Sequence, residues 1–412
     1  MSLVVQKFGG TSVADPERLK AVADHIVETR RAGNGVVVVV SAMGKTTDDL
    51  ERLALEVADA PAAREMDMLL TAGERISMAL LCMAIIDRGE PAVSFTGSQA
   101  GILTDTTHRK AMIVDIRADR LRAALDRGEI AVVAGFQGVS TTADVTTLGR
   151  GGSDTTAVAL ASALAAQACE IYTDVAGVYT ADPRVVANAR KLSTVTYEEM
   201  LEMAATGGRV LALRSVEFAR NHGVRIHVRS SFTWEPGTWV VAEDELAGGN
   251  AMEQAIISGV THDPAQAKVT IVQVPDRPGI AAKLFRSLAD EAINVDMIVQ
   301  NVSSAGHTDI SFTVSEADLA HTLKVTEKVV HDVEASGFTH DQDIALVSLI
   351  GAGMRTHPGI AAQMFEVLAN EGVNIEMIST SSIRISCVVR SDDVERAVRA
   401  LHGAFALDAE PA

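Results

Sequence analysis

Residues 148–157, Leu-Gly-Arg-Gly-Gly-Ser-Asp-Thr-Thr-Ala, bring together what recognition of an anion needs. They follow an apolar run, 130–136, that reads as a buried strand, and they open 157–168, an Ala/Leu-rich run with high helix propensity. A turn into a helix N-terminus carries N–H groups without intrahelical partners and roughly half a positive charge. Gly149, Gly151 and Gly152 would let the main chain approach a ligand oxygen, and Arg150 adds a forked donor for carboxylate or phosphate. The plainer reading is a glycine turn with Ser153 or Asp154 capping the helix. Lys7, close to the end of an apolar stretch, runs into Gly9-Gly10-Thr11-Ser12. Glu74 lies within a helical pattern, 63–88; buried there it could grip an ammonium group, and outside it would be a solvated helix charge. Asp174 and Gly177-Val178-Tyr179-Thr180-Ala181-Asp182-Pro183-Arg184 follow a strand-like run at 170–173. Loops at the carboxyl ends of such strands are where open α/β sheets bind ligands.

The elements that must position these groups alternate strand and helix. A strand at 2–8 leads to a helix at 16–32, with Asp15 as cap and Pro16 at the first helical position. Gly33 and Gly35 end it before the all-valine run 36–40. A continuous β-branched run suits a strand covered on both faces, as in parallel sheets, and strand–helix–strand is a right-handed βαβ unit. Gly44-Lys45-Thr46 resembles the end of a Walker A loop, but that motif needs glycine at 39, where valine stands. Helices at 48–59, 63–88, 116–126, 197–206 and 210–221, with strands at 92–95 and 225–228, fill out the first domain. Residues 237–250, rich in Gly and acidic residues, read as a linker.

The rest of the chain repeats itself. Pro278-Gly279-Ile280-Ala281-Ala282 returns at 358–362, and Asn294-Val295-Asp296-Met297-Ile298 returns as Asn374-Ile375-Glu376-Met377-Ile378. Each unit reads strand, helix, strand, strand, helix, a ferredoxin-like pattern. Ile350-Gly351-Ala352-Gly353 invites a dinucleotide reading, but Thr356 stands where its third glycine belongs.

Composition narrows the class. At 412 residues the prior is two or three domains, and 47% hydrophobic content supports large cores. A formal charge of −18 disfavours nucleic-acid and anionic-membrane partners. Cys82, Cys169 and Cys387 lack metal or disulfide spacing. No secretory signal pattern or membrane-length apolar run is evident, so a cytoplasmic protein is expected.

Lys7-Phe8-Gly9-Gly10-Thr11-Ser12, Ser41-Ala42-Met43, Ala72-Gly73-Glu74-Arg75, Phe136-Gln137-Gly138, the 149–156 loop and Tyr179–Arg184 together resemble the aspartate kinase family over essentially the whole chain. The resemblance implies an α/β fold: an amino-acid-kinase three-layer sandwich with a mainly parallel sheet over 1–240, and a linker at 241–262. Two ferredoxin-like βαββαβ ACT domains would follow at 263–343 and 344–412. It implies phosphorylation of the L-aspartate side-chain carboxylate by ATP with Mg2+, giving 4-phospho-L-aspartate, the first step toward lysine, threonine and methionine. The chemistry suits the residues, since an ionised carboxylate needs no base and no Ser–His or Cys–His pair is evident. By the same resemblance Lys7 and Asp182 are catalytic. Lys7, Phe8, Gly9, Gly10, Ser41, Thr173, Asp174, Tyr179, Asp182, Arg184, Arg209 and Val210 hold ATP, with Gly9 and Gly10 offering N–H groups. Ser41, Thr47, Glu74, Arg150, Gly151, Gly152, Ser153 and Asp154 line the aspartate pocket, Glu74 facing the ammonium and Arg150 the α-carboxylate. No metal ligand from the protein is expected; Mg2+ would travel with ATP.

Effectors, L-lysine and/or L-threonine, would bind at Asp276, Gly279, Ile280, Ala281, Asn294, Asp296 and Gln300. In the second repeat the matching set is His357, Gly359, Ala361, Asn374, Ile375, Thr380 and Ser381. A homo-oligomer, or association with a separately translated ACT-only subunit starting at Met252, is also implied, whereas fusion to a homoserine dehydrogenase is not. Lys45, Arg209 and Ser382 depart from the family's usual residues. The competing expectations are a kinase of glutamate, N-acetylglutamate or UMP, and an amino-acid sensor with a decayed kinase half.

Overall fold

Gly35–Val40 is buried along its whole length, as a β-branched strand inside a covered sheet must be. In this computed structural model, which describes residues 2–246, 256–301 and 306–409, it is part of an eight-stranded sheet. The order is Thr194–Thr196, Thr238–Val241, Ile226–Ser230, Ala168–Thr173, Leu3–Phe8, Gly35–Val40, Ile130–Ala134, Ala92–Phe95. All run parallel except the first two, which oppose the rest. Alternation divides the valines. Val36, Val38 and Val40 pack with Leu19, Val22 and Ile26 of helix Pro16–Arg31 and with Leu81 and Ile85 of helix Ala63–Asp87. The other face carries helix Gly152–Ala163, giving three layers. Asp15 accepts the Arg18 N–H at 2.9 Å, the cap expected for the helix beginning at Pro16.

Several elements differ from expectation. Residues 116–126 are not one helix: Ile113–Ile116 is a strand and the helix is Asp119–Asp126. A four-stranded sheet, in the order Ile113–Ile116, Ile102–Thr104, Gln137–Ser140, Val145–Thr147, accompanies the main one. The strand Ile130–Ala134 therefore reaches the glycine loop through a hairpin. Helix Ala63–Asp87 has the length and apolarity of a membrane span, but half of that stretch is buried within the protein.

The chain divides into two units, and residues 179–190 and 205–208, within the expected 1–240 domain, belong with the second. The cause is apolar packing, since Ala181 and Val186 share a core with Met364, Val398 and Leu401. This unit is built on a six-stranded antiparallel sheet, Ile298–Gln300, His307–Ser315, Gly259–Pro275, Gly337–Ile350, Arg384–Arg390, Met377–Thr380. Its two central strands pair end to end, from Val260 against Leu349 to Val272 against Gly337. Each serves both repeats. Val269 and Ile271 enter the core of the first, whereas Val260 enters that of the second. The expected linker at 241–262 thus ends inside a strand that completes the second repeat, and the pattern is βαββαβ in each. Met252 lies outside the described residues.

Candidate active site

Leu3–Phe8 is flanked on one side by Gly35–Val40 and on the other by Ala168–Thr173. Chain connections diverge at such a point and leave a crevice beyond the carboxyl ends of the strands. Lys7 stands there, 9% exposed. Its Nζ lies 2.5 Å from Asp154 Oδ1 in the first turn of helix Gly152–Ala163, an ion pair. A lysine this buried needs an anion beside it, and incoming phosphate oxygens can share that role.

The glycine loop is shaped by backbone demands. Gly149 and Gly151 have φ of +79° and +70°, a region that favours glycine. A Cβ on Gly151 would fall 2.2 Å from that of Ala212. The helix begins at Gly152 rather than near 157, its cap is Gly151, and no side chain caps it. That removes the reading in which Ser153 or Asp154 is there as a cap. Arg150 is exposed and pairs with no carboxylate among the described residues.

Glu74 is the decisive group. Its helix approaches the Ser41–Ala42 turn closely because position 73 is glycine, where a Cβ would meet Ala42 Cβ at 2.7 Å. Ser77 Oγ donates to the Ser41 carbonyl at 2.8 Å, and the Ala42 N–H donates to Glu74 Oε1 at 3.1 Å. Glu74 is 3% exposed, and its Oε2 has no hydrogen-bond partner among the described residues. Burial pushes the carboxyl up to about 7. The solvated-charge reading is therefore wrong: Glu74 is a buried carboxylate. Ser41 and Thr47 are half-buried on the neighbouring turn and helix start.

Other expected residues fare differently. The Gly9 N–H is donated to the Tyr172 carbonyl at 3.2 Å, so it is not available to a phosphate. Phe8 is fully buried and stacks on Tyr172 at 4.7 Å, while its carbonyl accepts the Ser41 N–H; it is a core residue rather than a ligand contact. Gly10 is required by closeness, since a Cβ there would meet the Ala42 carbonyl at 2.9 Å. Thr173 Oγ1 donates to Asp174 Oδ1 at 3.0 Å, and Asp174 is exposed at the strand end. Val210 is half-buried and Arg209 exposed. In the second unit, Asp182 accepts the Arg184 N–H at 2.9 Å and its guanidinium at 2.7 Å, and this holds its carboxyl below the usual range. Tyr179 lies in the same segment, half-buried. Sequence reasoning missed Ser231, whose N–H and Oγ both reach the Thr173 carbonyl, and Asp67 and Arg214, which hold the glycine loop. All are distant in sequence from what they touch, so no local pattern signals them.

Residues 2–230 match the amino acid kinase family, and 269–329 with 347–405 match the ACT domain. An aspartokinase of Mycobacterium tuberculosis is 58% identical over 410 residues, 99% of this chain and 97% of that protein. The chain belongs to the aspartokinase family. It is an aspartate kinase with ACT domains. Aspartokinase III of E. coli, solved with aspartate and ADP in the R-state, superposes with a TM-score of 0.83 at 27% identity, over 98% of this chain and 99% of that one. The same enzyme with lysine and aspartate in the T-state gives a TM-score of 0.74 at 27% identity and the same coverage.

In the ACT unit of this aspartokinase, Asp276, Gly279, Ile280, Ala281 and Gln300 gather around a cavity of about 350 Å3, with Thr308. Gly279 has φ of +95° at the start of helix Ile280–Asp290. Asn294 and Asp296 are not in that lining. Asn294 donates to Asp296 Oδ1 at 3.3 Å, and Asp296 Oδ2 accepts from Gln266 at 3.1 Å. In the second repeat Gly359 has φ of +102° and His357 Nδ1 lies 2.9 Å from the Gly353 carbonyl. Ala361 and Ile375 pack against the core, Asn374 and Thr380 are exposed, and the Ser381 N–H bonds the Arg384 carbonyl.

Proposed function

We propose that the enzyme transfers the γ-phosphoryl group of MgATP to the side-chain carboxylate of L-aspartate, forming 4-phospho-L-aspartate and ADP, and that amino-acid effectors, lysine and threonine, inhibit it through the ACT unit. The observation that carries the substrate reading is Glu74, a buried carboxylate with one oxygen unpartnered among the described residues. It takes the α-ammonium, Arg150 forks onto the α-carboxylate, and Ser41, Thr47 and Gly151–Asp154 line the space between. The side-chain carboxylate attacks as the anion it already is at neutral pH. The barrier is then mostly the meeting of like charges, and positioning and neutralisation lower it. Lys7 supplies the neutralisation, leaving its pairing with Asp154 for the phosphoryl oxygens as they arrive, with the Gly10 main chain beside it.

Thr173, Asp174, Arg209 and Val210 form the nucleotide side within the first unit. No group of three or more His, Cys, Asp or Glu among the described residues could hold a metal ion. Mg2+ would arrive with ATP, on whose phosphates it would screen charge. The test is ADP release with L-aspartate, L-glutamate, N-acetyl-L-glutamate or UMP as acceptor. Release with aspartate alone, reduced by lysine plus threonine, is expected; equal rates with glutamate would refute the pocket. The lysine part of the regulatory reading is supported by the E. coli enzyme that binds lysine, and by the cavity at the first repeat's turn.

A further inference from the structure

We propose that Arg214 is a positioning residue for Arg150, fixing the main chain from which the substrate-binding guanidinium projects. Arg214 sits at the second position of helix Leu213–His222, whose cap is Ala212. Its Nη1 donates to the Leu148 carbonyl at 3.0 Å and its Nη2 to the Ala111 carbonyl at 2.9 Å. The Ala111 N–H in turn donates to the Thr147 carbonyl at 2.9 Å, so the fork ties two segments that are already joined. No carboxylate bonds Arg214 among the described residues. Burial lowers its pKa, and a helix N-terminus is the wrong end for a cation. A charge kept in such a place at a loss is explained by what it holds.

What it holds is Leu148, two residues before Arg150, and, through Ala111, Thr147. On the other side of Arg150, Gly151 at φ +70° lies against Ala212, leaving no room for a Cβ. One helix start thus braces the loop at Leu148 through Arg214 and at Gly151 through Ala212. A second brace comes from Asp67, fully buried, whose Oδ1 accepts from Thr147 Oγ1 at 2.6 Å and from the Arg109 N–H at 3.1 Å. Arg150 itself is exposed between two left-handed glycines. Without the braces, aspartate would have to order that loop on binding, an entropic loss that preorganisation avoids.

The proposal rests on the assignment of Arg150 to the aspartate α-carboxylate, and the experiment separates the two. Arg214→Lys, which keeps the charge and can reach only one carbonyl, and Arg214→Met are assayed in the full-length enzyme. Each is expected to raise the KM for aspartate about tenfold or more while leaving the KM for ATP within about twofold. Methylguanidinium is expected to restore the aspartate KM of Arg214→Met in part. In an Arg150→Lys background, either change should add little. A rise in both KM values together, or full additivity with Arg150→Lys, would overturn the positioning role and leave Arg214 a general support. If Arg150→Lys alone left the aspartate KM unchanged, the assignment of the loop would fail instead.

Discussion

Replacing Glu74 by Gln should make the ligand-free enzyme more stable at alkaline pH and a poorer binder of aspartate. Burial raises this carboxyl from 4.5 to about 7. At about 1.4 kcal/mol per tenfold change in protonation, holding it ionised in the fold costs about 3 kcal/mol. The sign follows from linkage. The folded pKa is raised, so the cost is absent below the unfolded value of 4.5, grows as pH climbs, and is complete above about 7. Glutamine keeps the oxygen that accepts the Ala42 N–H but leaves an amide N–H2 where Oε2 lacked a partner among the described residues, which returns about 1–3 kcal/mol of the gain. Urea unfolding of the ligand-free protein should therefore give Glu74→Gln a higher midpoint than wild type at pH 8 and an equal or lower one at pH 5. Steady-state assays should give an aspartate KM about 10- to 100-fold higher, the worth of a charge-assisted hydrogen bond of about 1.5–3 kcal/mol, with the ATP KM unchanged. A variant less stable than wild type at pH 8 would mean that a protein cation already neutralises Glu74, and the ammonium reading would be refuted.

The same group sets a pH profile: in wild type the aspartate KM should climb as pH falls below about 7, where Glu74 takes a proton, and in Glu74→Gln that climb should vanish. Lys7→Ala should lower kcat about 10²- to 10³-fold, by analogy with loss of one oxyanion donor, while circular dichroism shows a folded protein; normal turnover would remove Lys7 from the phosphoryl site. Ala281→Thr, which adds bulk at the lined cavity of the first repeat, should leave uninhibited turnover near wild type and raise the concentration of lysine plus threonine needed for half inhibition, because only differential affinity for the less active state can inhibit. Loss of basal activity and effector response together would make that turn a structural support.

Much of the architecture was legible because local and global signals agree. The valine run, the Asp15–Pro16 helix start and the 80-residue echo of Pro-Gly-Ile-Ala-Ala (278 to 358) all survive in the fold. The hairpin Gln137–Ser140 and Val145–Thr147 was not legible, since its strands are too short for alternation to declare itself. Gly259–Pro275 was missed in its first half because Pro264 argues against a strand. The pairing in fact shifts register between Asp263 and Gln266, and the proline sits in that irregularity. At the site, the glycine loop and Lys7 could be found from type and spacing, but Glu74's burial depends on a helix touching Ala42. Gly9 misled for the opposite reason: a glycine suited to a phosphate has already given its N–H to a neighbouring strand.

The shared central strands also set the order in which the regulatory half can mature. Val260 finds Leu349 only after the whole first repeat has been synthesised and closed between them, a long chain closure of the kind that slows folding. Until then the edge of Gly337–Ile350 that Gly259–Asp263 will cover is bare, and bare edges recruit other strands. The two repeats are therefore one cooperative block rather than beads on a string. A cut between them should release two aggregation-prone halves, and complementary fragments mixed together should recover solubility by restoring that pairing.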